Sequence, residues 1–441
     1  MPSTHQPSIG IDFGTTNSSV AIATGNGAVE LVSFPSLLGP TPSFRSVLYL
    51  EQLRQAGRTV VKSYTGPSAI EHYLEAEREN PGKGRLIQSL KSYLPSQSLT
   101  GTEVFGKRYA IEDLISRILT DLRLRAEQHL GTPIRTATVG RPVRFVSAET
   151  PEDDAFATNR LRATFEQAGF EQITFELEPI AAAYAYAATL THDELILIGD
   201  FGGGTSDFSL LKVGPANRGT KEILGNSGLG LAGDAFDARI VRKLVSPALG
   251  SDSLERTYSH AVDRPAAIIP AVPAWIYANL ERWHYLSFLK TRNVTEILKS
   301  ARLRAQEPEK VAALITLIDE DLGYQLHQAV QRLKVALSHN EAADFHFRDG
   351  SMDITAQVTR ADFELWIADE LASIESCVDD LLTTTKIAPE KVDRVFLTGG
   401  TSFVPAVRRI FERRFTPARI RTGNEFTSVA QGLALRAAET R

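Results

Sequence analysis

The sequence predicts an α/β fold made of two similar lobes. Two observations carry that expectation. Short apolar or alternating runs that read as strands are interleaved along the chain with amphipathic helical patterns. A strand, an Asp-Phe-Gly turn and a returning strand also occur twice, around Asp12-Phe13-Gly14-Thr15-Thr16 and around Asp200-Phe201-Gly202 to Ser206. The two copies form a distant internal repeat, the mark of a duplicated domain.

Composition narrows the class. The chain has 441 residues, 43% hydrophobic and 23% charged, within the ordinary globular range. A net charge of -5 with no basic face gives no reason to expect nucleic acid, and no like-charge block suggests a disordered tail. The opening M-P-S-T-H-Q-P-S has neither a positive nor an apolar region, so no signal peptide is expected. The most apolar window, Pro179–Leu190, is too short to span a bilayer. Cys377 stands alone, which excludes an intramolecular disulfide and a multi-cysteine metal site, and it reads as a packed thiol. These features predict a cytoplasmic protein without a membrane partner.

Taken in order, Ile9, Ile11 and Phe13 alternate as a strand, Gly14-Thr15-Thr16 turns, and Ser19–Ala23 returns. From Phe34 to Gly84 the chain is mixed, with turns at Pro35, Pro40 and Pro42 and a strand at Val47–Leu50. The polar loop Glu79–Arg85 leads into Leu86–Leu94, where position alone makes Lys91 a solvated helix lysine. Ile111–Leu130 carries Leu114, Ile118 and Leu122 on one face, a surface helix stopped by Gly131. A strand near Ala137–Gly140 ends at Arg141-Pro142. The acidic stretch Glu149–Asp154 reads as a surface loop before a helix over Arg160–Ala168. Ile173, Phe175 and Leu177 alternate as a strand ending at Glu178-Pro179, and proline fits the first turn of the alanine-rich helix that follows. Glu178 at that junction either projects into a cleft or is the acid that a helix N-terminus favours.

Leu195–Ile198 and Phe208–Val213 are the strands of the second hairpin. Its glycines, Gly202, Gly203 and Gly204, let backbone N–H groups point outward unobstructed. Thr205 adds a hydroxyl, while Asp200 and Asp207 put carboxylates at the rims. Amides and hydroxyls suit phosphate oxygens, and carboxylates suit the Mg²⁺ that accompanies them. Two such hairpins face to face would clamp one polyphosphate from both sides; either one taken singly also reads as a plain glycine-rich hairpin. Protein kinases share the Asp-Phe-Gly tripeptide, but the chain has no H-R-D loop and no V-A-I-K strand.

Gly228, Gly230 and Gly233 match G-x-G-x-x-G with a possible strand before them. The following acid-terminated strand that a dinucleotide fold needs is missing. Residues 250–330 read as largely helical, with Ile276, Leu280, Trp283, Leu286 and Leu289 on one core-facing stripe. Lys334 and Ser338 share a helix face. Thr359–Leu382 reads as one long helix capped by Thr359. Val392–Thr398 is a strand ending in Gly399-Gly400, where a flat ligand can approach the backbone, and Ser428–Ala438 is a terminal helix.

Five stretches, in this order, resemble the nucleotide-binding domain of the DnaK-type, seventy-kilodalton heat-shock chaperones of the actin-like ATPase superfamily. They are I-G-I-D-F-G-T-T-N-S, S-L-K-S-Y-L, E-P-I-A-A-A-Y-A-Y, I-G-D-F-G-G-G-T-S-D-F-S-L and V-F-L-T-G-G-T-S-F-V-P. The resemblance covers nearly the whole chain. It implies two lobes, each a ribonuclease-H-like mixed sheet flanked by helices, with ATP or ADP and Mg²⁺ between them. Lobe I would run over residues 1–194 and lobe II over 195–424, with an enlarged helical subdomain at 250–330. Residues 425–441 would form a helix packing back on lobe I.

The same resemblance implies site roles. Gly14, Thr15 and Thr16 would hold phosphates from lobe I, and Gly202, Gly203, Gly204 and Thr205 from lobe II. Asp12 and Asp200 would hold Mg²⁺, largely through its waters. Lys91 matches the lysine that reaches the terminal phosphate and Glu178 the cleft carboxylate, with Asp200, Glu178 or Asp207 orienting water. Lys334, Ser338, Gly399 and Gly400 match the nucleoside pocket. Phe403 stands where the family commonly has an adenine-stacking arginine, and Gln331 replaces a ribose-binding glutamate. The chain ends with the nucleotide domain, similar to the short bacterial paralogues of the YegD type, so no peptide-binding domain is expected. The implied function is an ATP-binding, slowly ATP-hydrolysing chaperone-like protein, with client proteins and co-chaperones as partners. Two other classes stay open: a sugar-type small-molecule kinase, although the arginine after G-T-T is missing, and a nucleotide-gated scaffold.

Overall fold

Nearly continuous burial, broken only at the half-buried Asp12, marks the strand Ser8–Phe13 as the centre of a mixed sheet. The computed structural model describes residues 7–24, 28–36, 39–55, 58–79, 84–187, 190–217, 222–256, 269–282, 285, 289–320, 322–349, 352–422 and 428–439. Across the first sheet the order is Gln172–Leu177, Thr136–Arg141, Ser8–Phe13, Asn17–Ala23, Val29–Leu31, with the short Phe44–Arg45 also on Asn17–Ala23. A second sheet runs Ile420–Thr422, Arg394–Thr398, Glu194–Phe201, Ser206–Val213, Glu222–Leu229. In each, an antiparallel three-strand meander continues into two parallel strands. The repeated tripeptide is therefore the visible part of a repeated sheet. Asp12 lies opposite Ser19 in the first meander and Asp200 opposite Asp207 in the second.

Each sheet is covered by a helix that follows the other sheet's outermost parallel strand. Helix Glu178–Ala187 follows Gln172–Leu177, yet Ile180, Ala181, Ala183 and Tyr184 pack with Ile196, Ile198, Leu211 and Val213 of the second sheet. The terminal helix Ser428–Glu439 follows Ile420–Thr422 and lays Ala430 and Ala434 on Ala21 and Ala23 of the first. The two helices cross on small residues, and a Cβ on Gly432 would overlap the Ala181 carbonyl.

Several local expectations are corrected. The acidic stretch Glu149–Asp154 is not a loop but the start of helix Pro151–Gln167: Thr150 and Asp153 cap each other reciprocally, and the remaining acids fill the first turn. The helix over Thr359–Leu382 is two helices, Arg360–Trp366 and Ala368–Thr385, parted at the buried Ile367, although Thr359 does cap the first. Gly225 and Gly228 lie inside the strand Glu222–Leu229 rather than after one. Of the proposed aromatic stripe, Ile276 and Leu280 lie on helix Ala274–Leu280 and the buried Leu289 is helical, while Trp283 and Leu286 lie outside the described residues.

The chain divides into two compact units, Met1–Gly233 with Leu371–Arg441, and Asp234–Glu370. Both five-stranded orders belong to the first. The second holds helices Arg292–Arg304, Pro308–Asp319 and Gly323–His339 and the hairpin Ala342–Asp349/Met352–Thr359, with Phe236 edge-on to Phe363 in its core. Among the described residues no helix is long and apolar enough to cross a membrane.

Candidate functional site

The site of the first unit is built on a buried ion pair. Strand Gly84–Gln88 ends at Ser89, whose φ of 52° turns the chain into the short 3₁₀ turn Leu90–Tyr93. That turn buries Lys91, against the expectation of a solvated lysine: Nζ stands 2.7 Å from Glu178 Oε1, and both side chains are less than a tenth exposed. Glu178 opens its helix, where the N-terminal dipole favours an acid, and also reaches the ion pair, so the two readings of this residue are both met. Gly140 makes the room, since a Cβ there would lie 3.2 Å from Glu178 Cγ.

The second hairpin brings two more carboxylates. Gly202 N–H donates to the Thr205 carbonyl at 2.9 Å and closes the turn. Asp200 Oδ1 accepts from Thr398 Oγ at 2.5 Å. Asp207 is fully buried; its Oδ1 accepts from the Val143 and Arg144 amides at 2.8 and 3.3 Å, while Oδ2 has no hydrogen-bond partner among the described residues. A Cβ on Gly228 would lie 2.7 Å from Asp207 Oδ1. The hairpins approach one another: a Cβ on Gly204 would come within 3.5 Å of Thr15 Oγ. Gly399, at φ 82°, lets the next turn press on the Phe201 backbone, and Gly400 begins that turn. Gly14, Thr15 and Thr16 are half-buried at the first turn, and Gly203 is half-buried at the second.

Four carboxylates, Asp12, Glu178, Asp200 and Asp207, thus share one ammonium. Burial, reinforced by the charges of Glu178 and Asp200 and opposed by Lys91, pushes Asp12 up to about 8. Burial and Glu178 push Asp200 to about 6 against the Thr398 hydrogen bond and Lys91, and burial with Glu178 and Asp200 holds Asp207 well above the usual range. Burial alone would lower Lys91, but Glu178 and Asp12 outweigh it and hold the ammonium above its ordinary value. The site is short of positive charge. Its unfilled Asp207 oxygen and hard oxygen donors fit a divalent cation. Among the described residues no three His, Cys, Asp or Glu side chains converge to ligate a metal directly.

Lys334 and Ser338 belong to the second unit. Lys334 Nζ pairs at 2.7 Å with Asp237, whose carboxyl burial pushes up while Lys334 opposes, and Ser338 Oγ donates to the Lys334 carbonyl at 3.0 Å. Sequence reasoning missed Asp237, Thr398 and the two amides on Asp207. The position of Thr398 at a strand end just before Gly399 was the one available signal.

A family model described as Hsp70 protein matches residues 8–262 and 311–439. The chain belongs to the Hsp70 family. The Hsp70 fold class, a two-lobed actin-like ATPase fold, is accordingly that of this mixed α/β chain. Among curated Hsp70 relatives, the chaperone protein DnaK of Thermosipho africanus (strain TCF52B) is 24% identical over 434 residues, covering 98% of this chain and 58% of the relative. DnaK of Thermosipho melanesiensis is 24% identical over 435 residues, covering 98% of this chain and 59% of that protein. The chain thus spans less than two thirds of the length of these relatives.

Proposed function

We propose that this chain binds ATP or ADP with Mg²⁺ and hydrolyses ATP slowly as a chaperone-like protein. The observation that carries the proposal is the buried Lys91–Glu178 pair set among Asp12, Asp200 and Asp207 beside two glycine hairpins. Phosphoryl transfer to water needs charge neutralisation and an in-line nucleophile, not covalent help from the protein. In this reading Gly14, Thr15 and Thr16 hold phosphate oxygens from one side, and Gly202, Gly203, Gly204 and Thr205 from the other. Asp12 and Asp200 hold Mg²⁺ through its waters, and bound Mg²⁺ neutralises charge on the phosphate oxygens. Lys91 leaves Glu178 in part to meet the terminal phosphate. Asp200, Glu178 or Asp207 then orients the attacking water and takes its proton. Gly399 and Gly400 hold the nucleoside, with lobe I at 1–194, lobe II at 195–424 and residues 425–441 returning to lobe I. Client polypeptide and a J-domain co-chaperone are the proposed partners.

Phosphate release from purified protein tests this. Asp200→Ala and Lys91→Ala are each expected to lower it by about 100-fold or more. Unchanged turnover in both variants defeats the mechanism. Transfer to a metabolite hydroxyl in a substrate screen would make the protein a kinase instead. Measurable Mg²⁺-ATP affinity with background turnover would make it a scaffold.

A further inference from the structure

The segment carrying Lys91 is held from outside the site. A non-glycine residue at φ 52° followed by one 3₁₀ turn does not by itself fix where a long side chain ends. The far side of the turn is held by Arg160 of helix Pro151–Gln167, a residue only 8% exposed. Its Nη1 shares two N–H groups among the carbonyls of Tyr93 at 3.1 Å, Leu94 at 3.2 Å and Ser96 at 3.1 Å. Its Nε donates to Glu112 Oε1 in the first turn of helix Ile111–Leu130, and Arg160 holds that carboxyl below its ordinary range against the opposing effect of burial. One guanidinium therefore ties together the two helices and the end of the Lys91 turn, where a helical turn leaves carbonyls in need of donors. A cation buried this far requires such acceptors, and three of them lie within five residues of Lys91.

We propose that Arg160, oriented by Glu112, is a positioning residue for Lys91. It touches none of the reacting atoms and sets where Nζ stands relative to Glu178. This rests on the reading of Lys91 as the lysine that meets the terminal phosphate. Lysine at position 160 would keep the charge but present its donors from one tetrahedral nitrogen, which cannot span three carbonyls and Glu112 together. The Lys91 turn then loosens, and a displacement on the order of 1 Å at such a group costs up to about 100-fold in rate.

Two measurements on the full chain decide it. In steady-state phosphate release, R160K is expected to lower kcat about 10-fold or more while KM stays within about threefold, and to add nothing to K91M. Independently of turnover, acylation of the folded protein with acetic anhydride, read by peptide mass spectrometry, reports access to the Lys91 amine. R160K is expected to raise Lys91 labelling about fivefold or more over wild type, with other lysines unchanged. E112Q, at a partly exposed carboxyl, is expected to do the same and serves if R160K does not fold. Unchanged Lys91 labelling in a folded variant overturns the proposal, as does a rate loss that adds to that of K91M. A wild type without turnover refutes the ATPase reading, and the labelling still decides the role of Arg160.

Discussion

Removing either partner of the buried Lys91–Glu178 pair should have unequal consequences, because among the described residues the site brings four carboxylates to one ammonium. Lys91→Met leaves Glu178 beside Asp12, Asp200 and Asp207 with no cation. Breaking a buried pair in this direction typically costs about 3–5 kcal/mol. Glu178→Gln leaves Lys91 still facing the charges of Asp12 and Asp207. It also removes the leading charge, after burial, behind the raised carboxyls of Asp12, Asp200 and Asp207. Relief of three repulsions offsets the lost hydrogen bond, so the net change should be within about 1 kcal/mol. For a unit of this size 1 kcal/mol shifts the thermal midpoint by about 2 °C. Calorimetric scans at pH 8, with chelator and without nucleotide, should therefore place Lys91→Met about 6–10 °C below wild type. Glu178→Gln should lie within about 2 °C of it. A Glu178→Gln midpoint as low as that of Lys91→Met would refute the charge count.

Three further outcomes follow from the same geometry. Asp12 is pushed up to about 8 and Asp200 to about 6 from an ordinary 3.8, so the metal-free folded state binds more protons than the unfolded chain; the stability these groups contribute is full only below 3.8 and should fall as pH rises from there through 8, less steeply in Asp12→Asn, as read by urea midpoints from pH 5 to 9. A slope of the opposite sign would refute the raised carboxyls. Thr398→Val removes the donor 2.5 Å from Asp200, and phosphate release is expected to fall about 10-fold with the circular dichroism spectrum unchanged. Gly432→Ala drives a Cβ into the Ala181 carbonyl at the helix crossing, and a loss of about 3 kcal/mol in denaturant titration is expected; a neutral variant would mean the crossing can open.

What could be read from the sequence was local. An aspartate at a strand end followed by glycines and hydroxyls lies within one turn, so both hairpins were visible, and their repetition announced the second sheet. Burial of Lys91 was not visible, because its partner stands 87 residues away. Thr398 and Asp200 are 198 residues apart, again beyond any pattern of spacing. The acidic stretch Glu149–Asp154 was misread on charge, although Thr150-Pro151 followed by Asp153 spells a capped helix start. The break at Ile367 left no mark, since the apolar period runs through it on both sides.

The two sheets share a topology, and the difference between their equivalent positions explains where the lysine enters. In the second sheet Asp200 sits beside Thr398 on the neighbouring parallel strand and accepts its hydroxyl. In the first, Gly10 faces Thr138 and Ile11 faces Val139, so the next step of the register sets Asp12 beside Gly140. A threonine there would fill the space that Glu178 occupies, since even a Cβ on Gly140 comes within 3.2 Å of it. The glycine thus exchanges a neutral donor for an ion pair brought in from elsewhere in the chain. Burial and then Glu178 raise both carboxyls, and the hydroxyl donor marks the difference: with Thr398 opposing them Asp200 is pushed only to about 6, whereas Asp12, which has no such donor among its causes, reaches about 8. A duplicated device with identical halves would present two equal cation sites. Gly140 and Thr398 make the halves unequal, with the lysine and its carboxylate beside Asp12 and the hydroxyl-held carboxylate on the other side.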